Sequence, residues 1–223
     1  MKIKNGFTLA EVLVTLAIIG VISAIVLPML KNVTPNKEQV MLKKAYYLAS
    51  RNINEMINDE ELYPERDNEN VSGFSNVNIS DQTANGRQAM FHGQEFSGNS
   101  KFCGLFAARM NTRGNVNCNA TVSLNNGGNF QTADGIIWSM PVNNFNSGSS
   151  VASSVQNIQI DVNGNSGHNC FEGGSCQIPD RFTIQVNRLG RITVPANGIE
   201  QEYLTRSETN MTYRDIKRGI RHK

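Results

Sequence analysis

Residues 2–30 read KIKNGFTLAEVLVTLAIIGVISAIVLPML. Lys2 and Lys4 open the stretch, Gly6 and Phe7 follow, and a long apolar run is interrupted by a single acid, Glu11. Nineteen residues from Val12 to Leu30 (30 − 12 + 1) carry no charge. An uncharged run of about 18 or more is long enough to cross a hydrocarbon layer about 30 Å thick. In water it would expose more apolar surface than a monomeric soluble chain tolerates. The stretch therefore predicts a membrane helix. In a secretory signal the small cleavage-site residues come after the apolar core. Here the small residue that could mark a cut, Gly6, comes before it, so cutting there leaves the apolar segment on the mature chain.

This order resembles the class III signal of type IV pilins and type II secretion pseudopilins. The resemblance rests on Gly6, Phe7, Thr8, Leu9 and Glu11, with the acid five residues after the cut (11 − 6) and Pro28 twenty-two after it (28 − 6). It implies an α+β, pilin-like fold, in which a long N-terminal helix with a membrane half and an amphipathic half packs on an antiparallel β-sheet head. It also implies cleavage after Gly6 and N-methylation at Phe7 by a prepilin peptidase of the bacterial inner membrane. The partners it implies are other pilin or pseudopilin subunits, the inner-membrane assembly platform, and membrane lipid before assembly. An acid in an apolar helix is costly and wants a partner. Cutting after Gly6 creates one, an α-amine on Phe7 with a pKa near ~8, and the resemblance implies that Glu11 pairs with that amine on a neighbouring subunit. The simpler reading is that Glu11 snorkels to the headgroups. Type IV pilus, DNA-uptake fibre and secretion pseudopilus all remain open, and the polar head leans towards a pseudopilin or minor pilin.

The resulting division is a leader at 1–6, a transmembrane or filament-core helix at 7–30, an amphipathic helix at 31–58 and an extracytoplasmic head at 59–223. Lys2 and Lys4 keep the N-terminus cytoplasmic, although Lys31, Lys37, Lys43 and Lys44 weaken that asymmetry. The chain has 223 residues and a formal net charge of +2, which suits one helix and one modest head and points to no particular partner. Mean hydropathy is −0.35 despite the apolar run. The remainder is therefore polar, and its richness in Asn, Gly and Ser suits a turn-rich extracytoplasmic domain.

Cys103, Cys118, Cys170 and Cys176 all follow the helix and face an oxidising compartment. Of the three pairings that four cysteines allow, Cys103–Cys118 and Cys170–Cys176 are favoured because each closes a short loop. A zinc set of His168, Cys170 and Cys176 lacks a usual structural spacing.

Beyond the membrane segment, Thr34 is placed to cap a helix with Pro35 in its first turn. Leu42, Ala45, Ala49, Ile53, Met56 and Ile57 recur at helical spacing. Pro28 and Pro35 predict a kink between the halves. Residues 64–100 read as loop with short elements near Val71–Ile79, His92 as a surface or structural histidine, and Leu105–Met110 as a short helix. ATVSL, NNGG and NFQT (120–132) read as a hairpin, and Ile136–Met140 as a strand. Residues 143–154 read as a low-complexity loop. Ile158, Ile160 and Val162 alternate with Gln159 and Asp161, while Phe182, Ile184 and Val186 do the same before the turn NRLGR and the strand ITV. This is an antiparallel sheet with one wet face, whose dry face the amphipathic helix covers. TADGIIW, DVNG and DRF also resemble the heads of bacterial pilin-like proteins.

DVNGNSGHNCFE places Asp161, Asn163, Asn165, the Gly167 carbonyl, Asn169 and Glu172 at calcium-loop spacing, with Ser166 where the sharp turn wants glycine. Major pseudopilins of type II secretion bind calcium late in the head, so a variant calcium site from Asp161, Asn163, Asn165 and Asp180 is an expectation. An Asx-rich turn explains the same residues. The tail 211–223 carries Arg214, Lys217, Arg218, Arg221 and Lys223 against Asp215, but no base-reading motif supports nucleic-acid binding. No nucleophile elbow, H-E-x-x-H or P-loop is present, and His92, His168 and His222 have no evident nucleophile. The rival class is a membrane-anchored extracytoplasmic enzyme or binding domain. It would need a convergent polar pocket and would tolerate loss of Glu11.

Overall fold

A computed structural model describes residues 8–31, 37–64, 73–75, 89–143, 145, 150 and 152–205. The leader, Gly6, Phe7, Thr34, Pro35, most of 65–88 and the basic tail lie outside the described residues.

Helix α1 spans Leu9–Lys31 and includes Pro28. Helix α2 spans Lys37–Ile57 and buries Gln39, Leu42, Ala45, Ala49, Asn52, Ile53 and Met56. The apolar stripe at three- and four-residue spacing is therefore the buried face, with Ile57 half-buried at its end. Two polar residues join the stripe because each has a backbone partner. Asn52 Nδ2 donates to Phe106 O at 2.9 Å and Gln39 Nε2 donates to Tyr203 O at 3.1 Å.

A six-stranded antiparallel sheet runs in chain order: β3 (Thr112–Arg113), β4 (Phe130–Thr132), β5 (Ile137–Ser139), β6 (Gln156–Asp161), β7 (Arg181–Val186) and β8 (Ile192–Thr193). Its register aligns Phe130 with Trp138, Trp138 with Ile160, and Ile160 with Phe182. That row of bulky cross-strand pairs is the dry face, all four residues being buried. Helix α3 (Lys101–Ala108) adds Phe102, Leu105 and Phe106 to the same core. The Cys103–Cys118 disulfide ties α3 to the following loop, and Cys170–Cys176 closes a second, smaller loop.

The structure departs from the sequence reading in several places. The helix expected at Leu105–Met110 lies earlier, at Lys101–Ala108. The stretch expected to be loop contains a hairpin, β1 (Ala89–Phe91) and β2 (Gln94–Phe96). Its turn puts His92 and Gly93 at positive φ, the geometry of a two-residue hairpin turn. Residues 120–123 form no strand, and Leu124–Asn126 is a single 3₁₀ turn. Asp161 was placed on the wet face, yet it is fully buried. The 124–126 turn packs over that end of β5 and β6, so both faces are covered there.

A fourth helix, α4 (Ile199–Thr205), had no signal in the sequence reading and packs against α2. β8 pairs only with Gln185 and Val186 of β7. Further along that edge, the amide of Thr183 donates to Glu200 Oε1 at 2.9 Å, so a side chain from α4 finishes the strand's bonding. Burial pushes the Glu200 carboxyl above its usual range, and nearby Glu172 adds to this, against the opposing Thr183 amide. A carboxyl whose folded pKa is raised weakens the fold where it is charged. Its penalty is present where the carboxyl is charged and fades as pH falls through the raised pKa towards 4.5. Glu200→Gln keeps an acceptor for Thr183 and removes the charge. It is expected to melt about 2–4 °C above the wild type at pH 7 and level with it at pH 4. A lower melt at pH 7 would mean that the charged bond to Thr183 outweighs burial.

Candidate functional site

Thr8 is the residue before α1 and Glu11 the third residue inside it. The amide and hydroxyl of Thr8 both donate to Glu11 Oε2, at 2.8 and 2.9 Å, and the amide of Glu11 donates back to Thr8 Oγ1 at 3.3 Å. This reciprocal pattern, with Ser or Thr at the cap and Glu three residues on, satisfies amides that a helix start leaves without partners. The acid of the sequence signal thus begins the helix within its own chain. Beyond it, Ile18, Ile19, Val21 and Ile22 are all more than half exposed, on successive sides of the helix. A helix apolar all round belongs in a membrane or in the core of a larger assembly. Among the described residues no helix is long and apolar enough to cross a membrane. The side chains of α1 are described over 9–25, seventeen residues (25 − 9 + 1), while the uncharged run continues to Leu30.

Residues 1–27 match the family described as the prokaryotic N-terminal methylation motif. The match takes in Gly6, Phe7 and Glu11 and stops one residue short of Pro28. This chain therefore carries the signal of a type IV pilin-like or pseudopilin precursor. Comparison with curated proteins and with solved structures finds no match.

The second cluster lies where β6 leaves the sheet and β7 re-enters it. The Val162 amide donates to Asp180 O at 2.9 Å and closes the base of the loop. Asp180 Oδ2 accepts from the Asn169 amide (2.8 Å) and Asn163 Nδ2 (3.2 Å), and its Oδ1 accepts from the Cys170 amide (2.8 Å). Gly167 has φ +94, and a Cβ there would meet Asn163 Nδ2 at 2.4 Å and Asp180 Oδ2 at 2.7 Å. Only glycine lets the loop close this tightly. Asp161 Oδ2 accepts from Arg181 Nε at 2.9 Å. The Asn169 amide is assigned with Nδ2 inward, donating to Asp161 Oδ2 (3.0 Å) and Gly164 O (3.1 Å), because the reverse would set oxygen against two acceptors.

Of the four residues expected around calcium, Asp161, Asn163 and Asp180 come together, while Asn165 is exposed and outside the cluster. Glu172, last in the calcium-loop spacing, turns away to accept from the Ile199 amide of α4 at 2.8 Å. The spacing fails to converge because strands and a disulfide loop flank it. Calcium takes about six to eight oxygens. Here Asp180 is occupied by N–H donors and Asp161 by a guanidinium. Among the described atoms of this cluster, Asp161 Oδ1 and Asn163 Oδ1 are buried without a hydrogen-bond partner. Among the described residues no group of three or more His, Cys, Asp or Glu could hold a metal. The residues present do not fit calcium in this arrangement. Sequence reading missed Arg181, although it directly follows Asp180 and stands opposite Asp161 in the register.

Proposed function

We propose that this chain is a structural subunit of a type IV pilus-like or type II secretion pseudopilus filament, cut after Gly6 and N-methylated at Phe7. The observation that carries the reading is the methylation motif at residues 1–27, continuous with a helix whose described apolar side chains are exposed. Such a helix needs an apolar surrounding on every side. Inner-membrane lipid supplies it before assembly, and the helices of neighbouring subunits supply it afterwards, with the head outside the cytoplasm. The subunit's work is mechanical: the inner-membrane platform moves it from one surrounding to the other, and no catalytic step is involved. Partial orientation comes from charge, because Glu11 in the apolar core of a filament is stabilised by the cationic terminus of an adjacent Phe7.

Intact mass and N-terminal sequencing of the chain from cells containing a prepilin peptidase test this. A terminus at N-methyl-Phe7 is the expected result. A chain that keeps Met1, or one cut beyond Leu30, would overturn the reading.

A further inference from the structure

We propose that the guanidinium of Arg181 is the resident cation of the loop between β6 and β7, standing where a divalent ion would otherwise be needed, so that the head keeps its shape without calcium. The register sets Asp161 against Arg181, on the sheet face opposite the Trp138–Ile160–Phe182 row. Asp161 is 0% exposed and Arg181 7%. A buried carboxylate at the end of a strand needs a counter-charge, and Arg181 Nε supplies it at 2.9 Å. Arg181 Nη1 reaches on to Asn125 Oδ1 at 2.5 Å, which anchors the guanidinium to the turn that buries the pair. The neighbouring carboxylate, Asp180, is neutralised differently, by two backbone amides and one side-chain amide. Asp180 is thus satisfied by amides of the chain itself, and Asp161 has its counter-charge in Arg181 on Oδ2, while its Oδ1 is buried without a hydrogen bond. The planar, permanently charged arginine suits a fixed buried position.

The test is thermal unfolding of the full chain in detergent micelles, with a calcium chelator or with millimolar calcium chloride. The wild type is expected to melt at the same temperature in both. Arg181→Gln leaves Asp161 as an uncompensated buried charge and is expected to melt at least about 6 °C lower in chelator. In that variant the Asp161 carboxylate, beside the unpartnered Asn163 Oδ1, is left without its cation, so calcium should recover part of the loss. Arg181→Gln combined with Asp161→Asn removes both charges. It is expected to melt near the wild type and to ignore calcium. A wild type that melts several degrees higher in calcium would overturn the proposal, and would mean that the Asn169 amide turns its oxygen inward to a bound ion. So would an Arg181→Gln variant indistinguishable from the wild type, or one that calcium leaves unmoved. If Arg181→Gln does not fold, the double variant decides: folding supports charge compensation, and failure overturns it.

Discussion

Glu11→Gln is expected to leave cleavage after Gly6 unchanged and to cut incorporation into filaments by about tenfold or more. The argument separates two jobs of one carboxylate. Within its own chain Glu11 closes a reciprocal cap with Thr8. Glutamine serves that cap as well as glutamate does, so the helix start survives the exchange. Under the proposed function, the same carboxylate meets the methylated amine of a neighbouring Phe7 in an apolar core. Glutamine carries no charge to offset that amine, and a buried cation without its partner is far more costly than the intact pair. The comparison variant is Thr8→Ala, which loses the cap and keeps the charge. It should assemble close to normally, since a lost cap costs only about 1 kcal/mol and the surrounding apolar helix remains. N-terminal sequencing reads processing, and the filament content of sheared cell-surface fractions reads assembly. If Glu11→Gln assembles and Thr8→Ala does not, capping rather than charge pairing is the role of the acid.

The parts of this molecule that were legible in its sequence are those where one strong periodicity decides the element. The unbroken apolar run from Val12 to Leu30, the stripe from Leu42 to Met56 and the alternation in IQIDV and FTIQV each admit one structure, and the structure has α1, α2, β6 and β7 there. Other parts depend on partners that no local pattern announces. Helix α4 is a seven-residue helix, too short to show a period, and it is held by Gln39 of α2 and by the ring of Phe182 against Tyr203. The hairpin at 89–96 has strands of three residues each. The calcium-like spacing at 161–172 does not by itself place its residues, because spacing fixes ligands only when the backbone between them has the matching curvature. Here the strand β6 and the Cys170–Cys176 loop impose another, and the charge of Asp161 is settled by an arginine twenty residues away in sequence. Glu11 was found from its spacing to Gly6, whereas its cap to Thr8 follows from the T-x-x-E pattern that the same residues contain.

Asn129→Ala is expected to cost about 3 kcal/mol of head stability, a fall of about 6–12 °C in melting temperature. The reason is the stretch at 120–123, which has strand-like composition and yet forms no strand. Asn129 is buried, at 1% exposure, and its side chain takes the place of a pairing strand. Nδ2 donates to Asn117 O (2.6 Å) and Ala120 O (2.8 Å), while Oδ1 accepts from the amides of Val122 (3.3 Å) and Met140 (2.7 Å). All four bonding positions of the amide are filled, so Asn129 pegs the loop that carries Cys118 to the end of β5, where the Val142 amide adds one bond to Thr121 Oγ1 at 3.1 Å. The preceding glycine permits the approach, because a Cβ on Gly128 would lie 2.5 Å from Trp138 O. Alanine at 129 strands four backbone groups, of which the Met140 amide is buried, and leaves a void. The control is Asn119→Ala in the same loop, where the side chain is exposed; it should change stability by no more than about 0.5 kcal/mol. Hydrogen exchange gives the second readout, with the Val122 and Met140 amides expected to lose protection in Asn129→Ala. A melt within about 2 °C of the wild type, with both amides still protected, would show that the loop holds its shape through Cys103–Cys118 and the sheet alone.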